Sequence, residues 1–182
     1  MEGDKVMAAQ VVQVTAIGAA DLIHLELTRA GEALDANDLD TILDAYVRAL
    51  GLALQLGPAP SEQVLVAVLH TAHAVGLRQN ADSLSALGPA LVGLVAQVRT
   101  AGALPPTAVM EAWATLADDL GALIGQVGLA LSIPHARRAG MMDNARARAS
   151  LLDDATGGRF ALTAWVDTVS PRTPGCDCPA RQ

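Results

Sequence analysis

The chain has 182 residues, of which 52% are hydrophobic and 2% aromatic, and its formal net charge is −7. This length suits one domain with its own apolar core. The acidic balance argues against general nucleic-acid binding, because contact with phosphates requires a basic surface. The apolar residues are mostly Ala, Leu and Val, a composition that favours helices over strands.

The mean hydropathy of +0.35 raises the question of a membrane protein. The longest apolar stretches, residues 87–98 and 120–133, are shorter than the roughly 18 residues that a spanning helix needs, so we expect buried helices there. The N-terminal MEGDKVMAAQ contains two acids and one lysine and does not resemble a signal peptide. We therefore expect a cytoplasmic protein without membrane contact. The excess of Arg over Lys, together with much Ala and Gly, suggests a bacterial source.

Glycine, proline and capping residues divide the chain into six predicted helical segments and a tail. The first segment covers about 5–34. The second begins after Asn37 or Asp38, either of which is a good N-cap, and GPAP at 57–60 ends it. The third starts near Ser61 and runs to about Gly76. Its first turn contains Glu62 and Gln63, which are typical of a helix start.

The second half of the chain follows the same pattern. The loop RQNADS (78–83) precedes a fourth helix that ends at Thr100, with Gly88-Pro89 inside it as a predicted kink or break. AGALPPT (101–107) separates it from a fifth helix, whose apolar stripe includes Trp113. The sixth segment runs from Pro134 to Gly157-Gly158.

Short loops between helices of about 16–30 residues predict an all-α protein, an antiparallel bundle of five to six helices over residues 1–158. Residues 159–182 form a different unit, in which Phe160 and Trp165 are expected to dock on the bundle as a short helix or an extended segment. A mobile tail with Cys176 and Cys178 would follow. The two cysteines could form a two-thiolate metal clip or a redox pair, although CxC lacks the second ligand pair of a structural zinc site.

The sequence HTAH (70–73) lies within an apolar run of the third helix. His70 and His73 share one stripe with Val66 and Leu77, because residues three and four apart lie on the same helix face. The remaining faces of this helix are also apolar, which predicts a central helix with buried imidazoles. Buried imidazoles need hydrogen-bond partners.

The expected partners are Asp21 and His24 in AADLIHLE of the first helix. Together with His70 and His73 they would supply imidazole nitrogens and one carboxylate, a donor set that suits iron, zinc or another first-row metal. The Glu-x-x-His pairs of carboxylate-rich metal bundles are absent from the sequence. Two alternatives remain open. The histidines could bind only core partners and fix the helix register, or they could line a pocket for an organic ligand or for acid–base chemistry.

A cluster of arginines marks the sixth segment. Arg137 and Arg138, with Arg146 and Arg148 further along, could hold a carboxylate or phosphate or face another subunit. Pairing with acids of the same chain is the alternative. The acidic residues of the fifth helix are predicted to lie on a solvated face; they are Glu111, Asp118 and Asp119.

Two functional hypotheses follow from these observations. The first is a small soluble protein that binds a small ligand or a transition metal at Asp21, His24, His70 and His73, with Arg137 and Arg138 capturing an acidic group and with catalysis left open. The second is a non-enzymatic, homo-oligomeric interaction module. It rests on helices 84–98 and 120–133, whose apolar sides have few expected partners within one subunit.

Overall fold

The computed structural model describes the backbone of residues 2–170 and the side chains of residues 18–134 and 137–170. Over this range the chain is all-helical, with no strand. The helices, in chain order, are α1 (Glu2–Ala36), α2 (Leu39–Leu56), α3 (Pro58–Leu77), α4 (Ala81–Thr100), α5 (Ala108–Ser132), α6 (His135–Thr156) and α7 (Leu162–Val169). The described range thus holds seven helices instead of the five to six predicted, because the segment after Gly158 contributes a helix of its own.

Three helices begin at residues whose side chains cap the first turn. Asp38, Asn80 and Thr107 each accept a hydrogen bond from a backbone N–H of the following turn, at the starts of α2, α4 and α5. Such caps satisfy N–H groups that have no partner inside the helix. The predicted start of the second helix after Asp38 is confirmed.

The prolines have less effect on the helices than the sequence suggests. GPAP ends α2 at Leu56 as predicted, but α3 begins at Pro58 instead of near Ser61, and only Gly57, with φ +147°, separates the two helices. Proline is tolerated in a first helical turn, where the missing N–H would have no intrahelical partner. Pro89 lies inside α4, which continues from Ala81 to Thr100, so the predicted break is wrong.

Helices α4 and α5 cross at glycines. A Cβ atom on Gly88 would overlap the backbone nitrogen of Gly125 and the carbonyl oxygen of Gly121, and one on Gly128 would lie 2.5 Å from the backbone nitrogen of Ser85. The two backbones are therefore in direct contact. Only glycine fits these positions, and large side chains on both sides of the crossing fill the core; among them are Leu84, Leu87, Leu91, Leu120, Ile124 and Val127.

Among the described helices, α4 and α5 are also long and apolar enough to cross a membrane, and about half of the apolar window of each (44% and 56%) is buried inside the protein. Core helices of soluble proteins have the same properties. The apolar faces of residues 84–98 and 120–133 cover each other within one chain. The structure thus supplies partners within one chain for these helices, which were expected to have few, while the oligomeric state stays a prediction.

A buried hydrogen bond links α2 to α3. Tyr46 is 3% exposed; its hydroxyl lies 2.6 Å from the hydroxyl of Thr71 and donates to the carbonyl oxygen of Ala67 at 3.0 Å. Burial raises the pKa of Tyr46 above its ordinary value, while the hydrogen bond with Thr71 acts in the opposite sense. The phenol thus keeps its proton more tightly in the folded chain than in the unfolded one.

Tyr46→Phe should lower the free energy of unfolding by about 1–2 kcal/mol near neutral pH, because Thr71 loses its buried partner. The raised pKa of Tyr46 contributes to the free energy of unfolding. This contribution is fully present below the unfolded pKa of about 10 and is lost as the pH rises through the folded pKa. Urea denaturation at several pH values should therefore show the parent losing its advantage over the variant above about pH 10. An advantage that grew with alkaline pH would contradict this assignment.

Candidate functional site: a cleft between α3 and α7

The short helix α7 packs against α3 and α6 with its apolar side. Trp165, Val166 and Val169 are buried there. Val169 reaches α3 at Gly76, where a Cβ atom would lie 2.6 Å from Cγ2 of the valine. The expectation that part of the C-terminal segment docks as a short helix agrees with this position.

Three polar side chains outside α7 hold the ends of this helix. At its start, Ala161 offers no capping side chain, and Asp153 of α6 instead accepts hydrogen bonds from the N–H groups of Leu162 and Thr163 at 2.8 and 2.9 Å. At its end, Arg146 donates to the carbonyl oxygen of Ser170 at 2.7 Å and pairs with Asp167. Gln79 donates to the carbonyl oxygen of Val169 at 2.9 Å. Two of these side chains fix α7 to α6, and Gln79 links its end to the turn that follows α3.

An open cleft of about 470 Å³ lies between α3, α7 and the turn before α7. This volume is within the range of roughly 300–1,000 Å³ typical of small-molecule sites. Most of the lining is apolar, and none of it is acidic. The lining residues are Leu69, His70, His73, Ala74 and Leu77 of α3, Phe160 and Ala161 of the turn, and Ala164, Trp165 and Thr168 of α7.

The polar groups of this cleft are short of partners. His70 is exposed and His73 is half-buried, and no hydrogen bond joins either imidazole to another described residue. Trp165 is 6% exposed, and its Nε1 is buried without a hydrogen-bond partner in the described part of the chain. A buried indole N–H usually has a partner, and leaving a donor unsatisfied costs about 1–3 kcal/mol. The Thr168 hydroxyl, in contrast, donates to the carbonyl oxygen of Ala164 at 2.8 Å.

The structure does not bring the four predicted ligands together. Asp21 and His24 are exposed on α1 and do not line the cleft, whereas His70 and His73 do. Among the described side chains, no three His, Cys, Asp or Glu residues could hold a metal ion. The predicted burial of the imidazoles is also wrong, because α3 turns the opposite face, with Val64, Leu65 and Val68, into the core.

The arginines of the sixth segment lie apart from the cleft. Arg137 is exposed, while Arg138 donates to the carbonyl oxygens of Leu131 and Ile133 at 3.0 and 3.4 Å. Arg138 thus satisfies backbone groups at the end of α5, a position that favours a cation. Arg146 pairs with Asp143 as well as with Asp167, as the alternative of intramolecular pairing predicts. Neither Arg137 nor Arg138 lines the cleft.

The acids of α5 and the two cysteines are the remaining residues for which the sequence made predictions. Glu111 is exposed and pairs with Arg99 at 2.6 Å, whereas Asp118 and Asp119 are half-buried and less solvated than expected. Cys176 and Cys178 lie outside the described residues.

The sequence pattern did not point to Trp165 or Phe160 as site residues. The available signal was their concentration, since these two are half of the four aromatic side chains in the protein. Aromatic residues are common in small-molecule pockets. Their place opposite HTAH depends on how α7 packs, which local spacing does not determine.

Comparison of the chain with protein-family models, with curated proteins and with solved structures found no match. Functional inference therefore rests on the residues of the cleft.

Proposed function

We propose that the protein binds a small apolar molecule in the cleft between α3 and α7. The observation that carries the proposal is an open, mostly apolar cleft whose lining includes two imidazoles, those of His70 and His73, one exposed and one half-buried. The apolar lining would take the hydrocarbon part of a ligand. The imidazoles can fix its orientation, which is how mostly apolar pockets gain specificity.

The lining supports binding better than catalysis. An imidazole that acts as a general base is usually oriented by a third group, often a carboxylate. Among the described lining residues there is no carboxylate, and the one hydroxyl, on Thr168, already donates to Ala164. The cleft thus offers apolar surface and two imidazoles without a carboxylate beside them, which suits a binding protein.

Titration with 1-octanol, an apolar probe with one polar end, tests this proposal. NMR spectra of the ¹⁵N-labelled Trp113→Phe protein show the indole N–H of Trp165 alone, because the chain has two tryptophans. Trp113 lies on α5 and does not line the cleft. We expect saturable movement of the Trp165 signal and of the backbone signals of His70 and His73.

The matched comparison uses histidines inside and outside the cleft. His70→Ala should change how the NMR signals of the cleft respond to 1-octanol. His24→Ala, on the exposed part of α1, should leave this response unchanged. Saturable movement confined to α1 or to the α4–α5 pair, or none at all, would rule out the cleft as the binding site.

A further inference from the structure

We propose that HTAH of α3 and the CxC sequence of the C-terminal tail, residues 171–182, bind one Zn²⁺ ion together. The tail follows α7 and lies outside the described residues. The four ligands would be His70, His73, Cys176 and Cys178. Such a tetrahedral centre would hold the tail over the cleft. It shares two side chains with the proposed function but does not depend on it, because the ion is titrated without any small molecule.

The two imidazoles are placed as a pair of metal ligands. Residues three apart on a helix share one face, with about 5–6 Å between their Cβ atoms, so both rings can reach one ion. Both line the cleft, and neither His70 nor His73 makes a hydrogen bond to another described residue. Because no third metal-binding side chain accompanies them in the described part of the chain, further ligands have to come from outside it.

The chain leaves α7 beside the end of α3. Before α7, Arg159 pairs with Glu62 near the start of α3 at 3.3 Å. At the other end of α7, Val169 packs on Gly76 in the last turn of α3. Helix α7 thus runs parallel to α3, and the tail starts after Ser170, next to the turn of α3 that follows the histidines.

The tail is long enough to bring its cysteines to the histidines. His73 lies three residues before Gly76, about 4.5 Å along the helix axis, and His70 lies about 9 Å before it. Cys176 follows Ser170 by six residues, which span up to about 20 Å when extended. Both thiols of CxC can therefore reach the imidazoles without any change in the described helices.

The chemistry of the four ligands suits Zn²⁺ and the surroundings of the cleft. Thiolates and neutral imidazoles are common zinc ligands, and HTAH provides the second ligand pair that CxC lacks. Two thiolates balance the two positive charges of the ion, so the centre as a whole would be neutral. A neutral centre suits a mostly apolar cleft without an acidic residue in its lining, because an unbalanced charge is costly there.

Titration of the reduced, ¹⁵N-labelled chain with Zn²⁺ tests this site by calorimetry and NMR. We expect one ion per chain and an unchanged oligomeric state. The backbone signals of His70 and His73 should move together with those of Gly175 and Asp177, which flank Cys176, at the same Zn²⁺ concentration.

Paired substitutions separate the two halves of the site. Replacing both cysteines by serine (Cys176→Ser with Cys178→Ser) should weaken Zn²⁺ binding by more than about 100-fold, since the loss of a single outer-shell partner already costs up to about that much. Replacing both histidines by alanine (His70→Ala with His73→Ala) should have a similar effect. His24→Ala, which changes an exposed histidine of α1 away from the cleft, should bind Zn²⁺ as the parent does.

Three results would overturn the proposal. They are the absence of saturable Zn²⁺ binding, binding that survives either paired substitution, and one ion shared by two chains with a doubled mass. The last of these would show that CxC sequences from two chains bind the ion without HTAH. Joint movement of the α3 and tail signals in the parent chain is decisive even if the histidine variant does not fold.

Discussion

Gly88→Ala should lower the free energy of unfolding by about 3 kcal/mol or prevent folding altogether. The new Cβ atom would overlap the backbone of Gly125 and Gly121 on the facing helix. Backbone atoms cannot move aside as the end of a flexible side chain can. The α4–α5 pair would have to separate, and this would open the core around Leu91 and Ile124.

Gly93→Ala is the matched control, because Gly93 lies five residues further along α4 with no atom within 4 Å of its Cβ position. Alanine at an open helical site should stabilise the protein by roughly 0.5–1 kcal/mol. Urea denaturation of both variants measures the contrast. Equal stability of the two would show that α4 and α5 do not cross at Gly88.

Asp153→Ala should release α7 from α6. The variant should also lose most of the binding of 1-octanol. Asp153 accepts from two backbone N–H groups that no other described side chain satisfies. The loss of two bonds to an ionised, part-buried acceptor costs about 2–3 kcal/mol. We expect hydrogen exchange of the α7 amides to accelerate roughly 30- to 150-fold. Affinity for 1-octanol should fall by more than about tenfold, because Trp165 and Ala164 leave the cleft wall.

The neighbouring Asp154 provides the control, since it is exposed and its carboxylate makes no hydrogen bond within the described residues. Asp154→Ala removes the same charge and should leave α7 exchange unchanged. Asp153→Asn keeps one acceptor oxygen, so its rate of α7 amide exchange should lie between the rates of the two alanine variants. Equal rates of α7 amide exchange in the Asp153→Ala and Asp154→Ala proteins would show that apolar burial alone holds α7.

Local signals predicted most helix positions. Asp38 capped α2 as expected, and the loop after Thr100 separated α4 from α5. These features depend on neighbouring residues only, so spacing and capping rules apply directly. Pro58 was expected before the third helix but begins it, since a first helical turn tolerates proline, and Pro89 was correctly placed inside the fourth helix but does not break it.

The orientation of α3 was not predictable in the same way. Nearly every face of this helix is apolar, so the pattern that placed His70 and His73 on one stripe could not say whether that stripe faced the core or the surface. The structure turns Leu65 and Val68 inward and leaves the histidines at the edge. The prediction that His70 and His73 meet Asp21 and His24 in one site was wrong for this reason.

The site itself depends on tertiary packing. HTAH supplied two of its residues from sequence, but the opposite wall comes from α7, about ninety residues later in the chain, as the hydrogen bond from Gln79 to Val169 shows. No local rule relates residues at that separation. The wall opposite HTAH depends on the position of α7, which Asp153 and Arg146 of α6 hold in place.

Blocking the cleft gives the most direct test of whether it binds small molecules. Ala164→Phe places a ring in the cleft, and Ala155→Phe places the same ring on an exposed site of α6 away from it. We expect 1-octanol to shift the Trp165 indole signal in the Trp113→Phe protein and in its Ala155→Phe variant, but not in its Ala164→Phe variant. Equal binding by all three proteins would contradict a ligand site between α3 and α7.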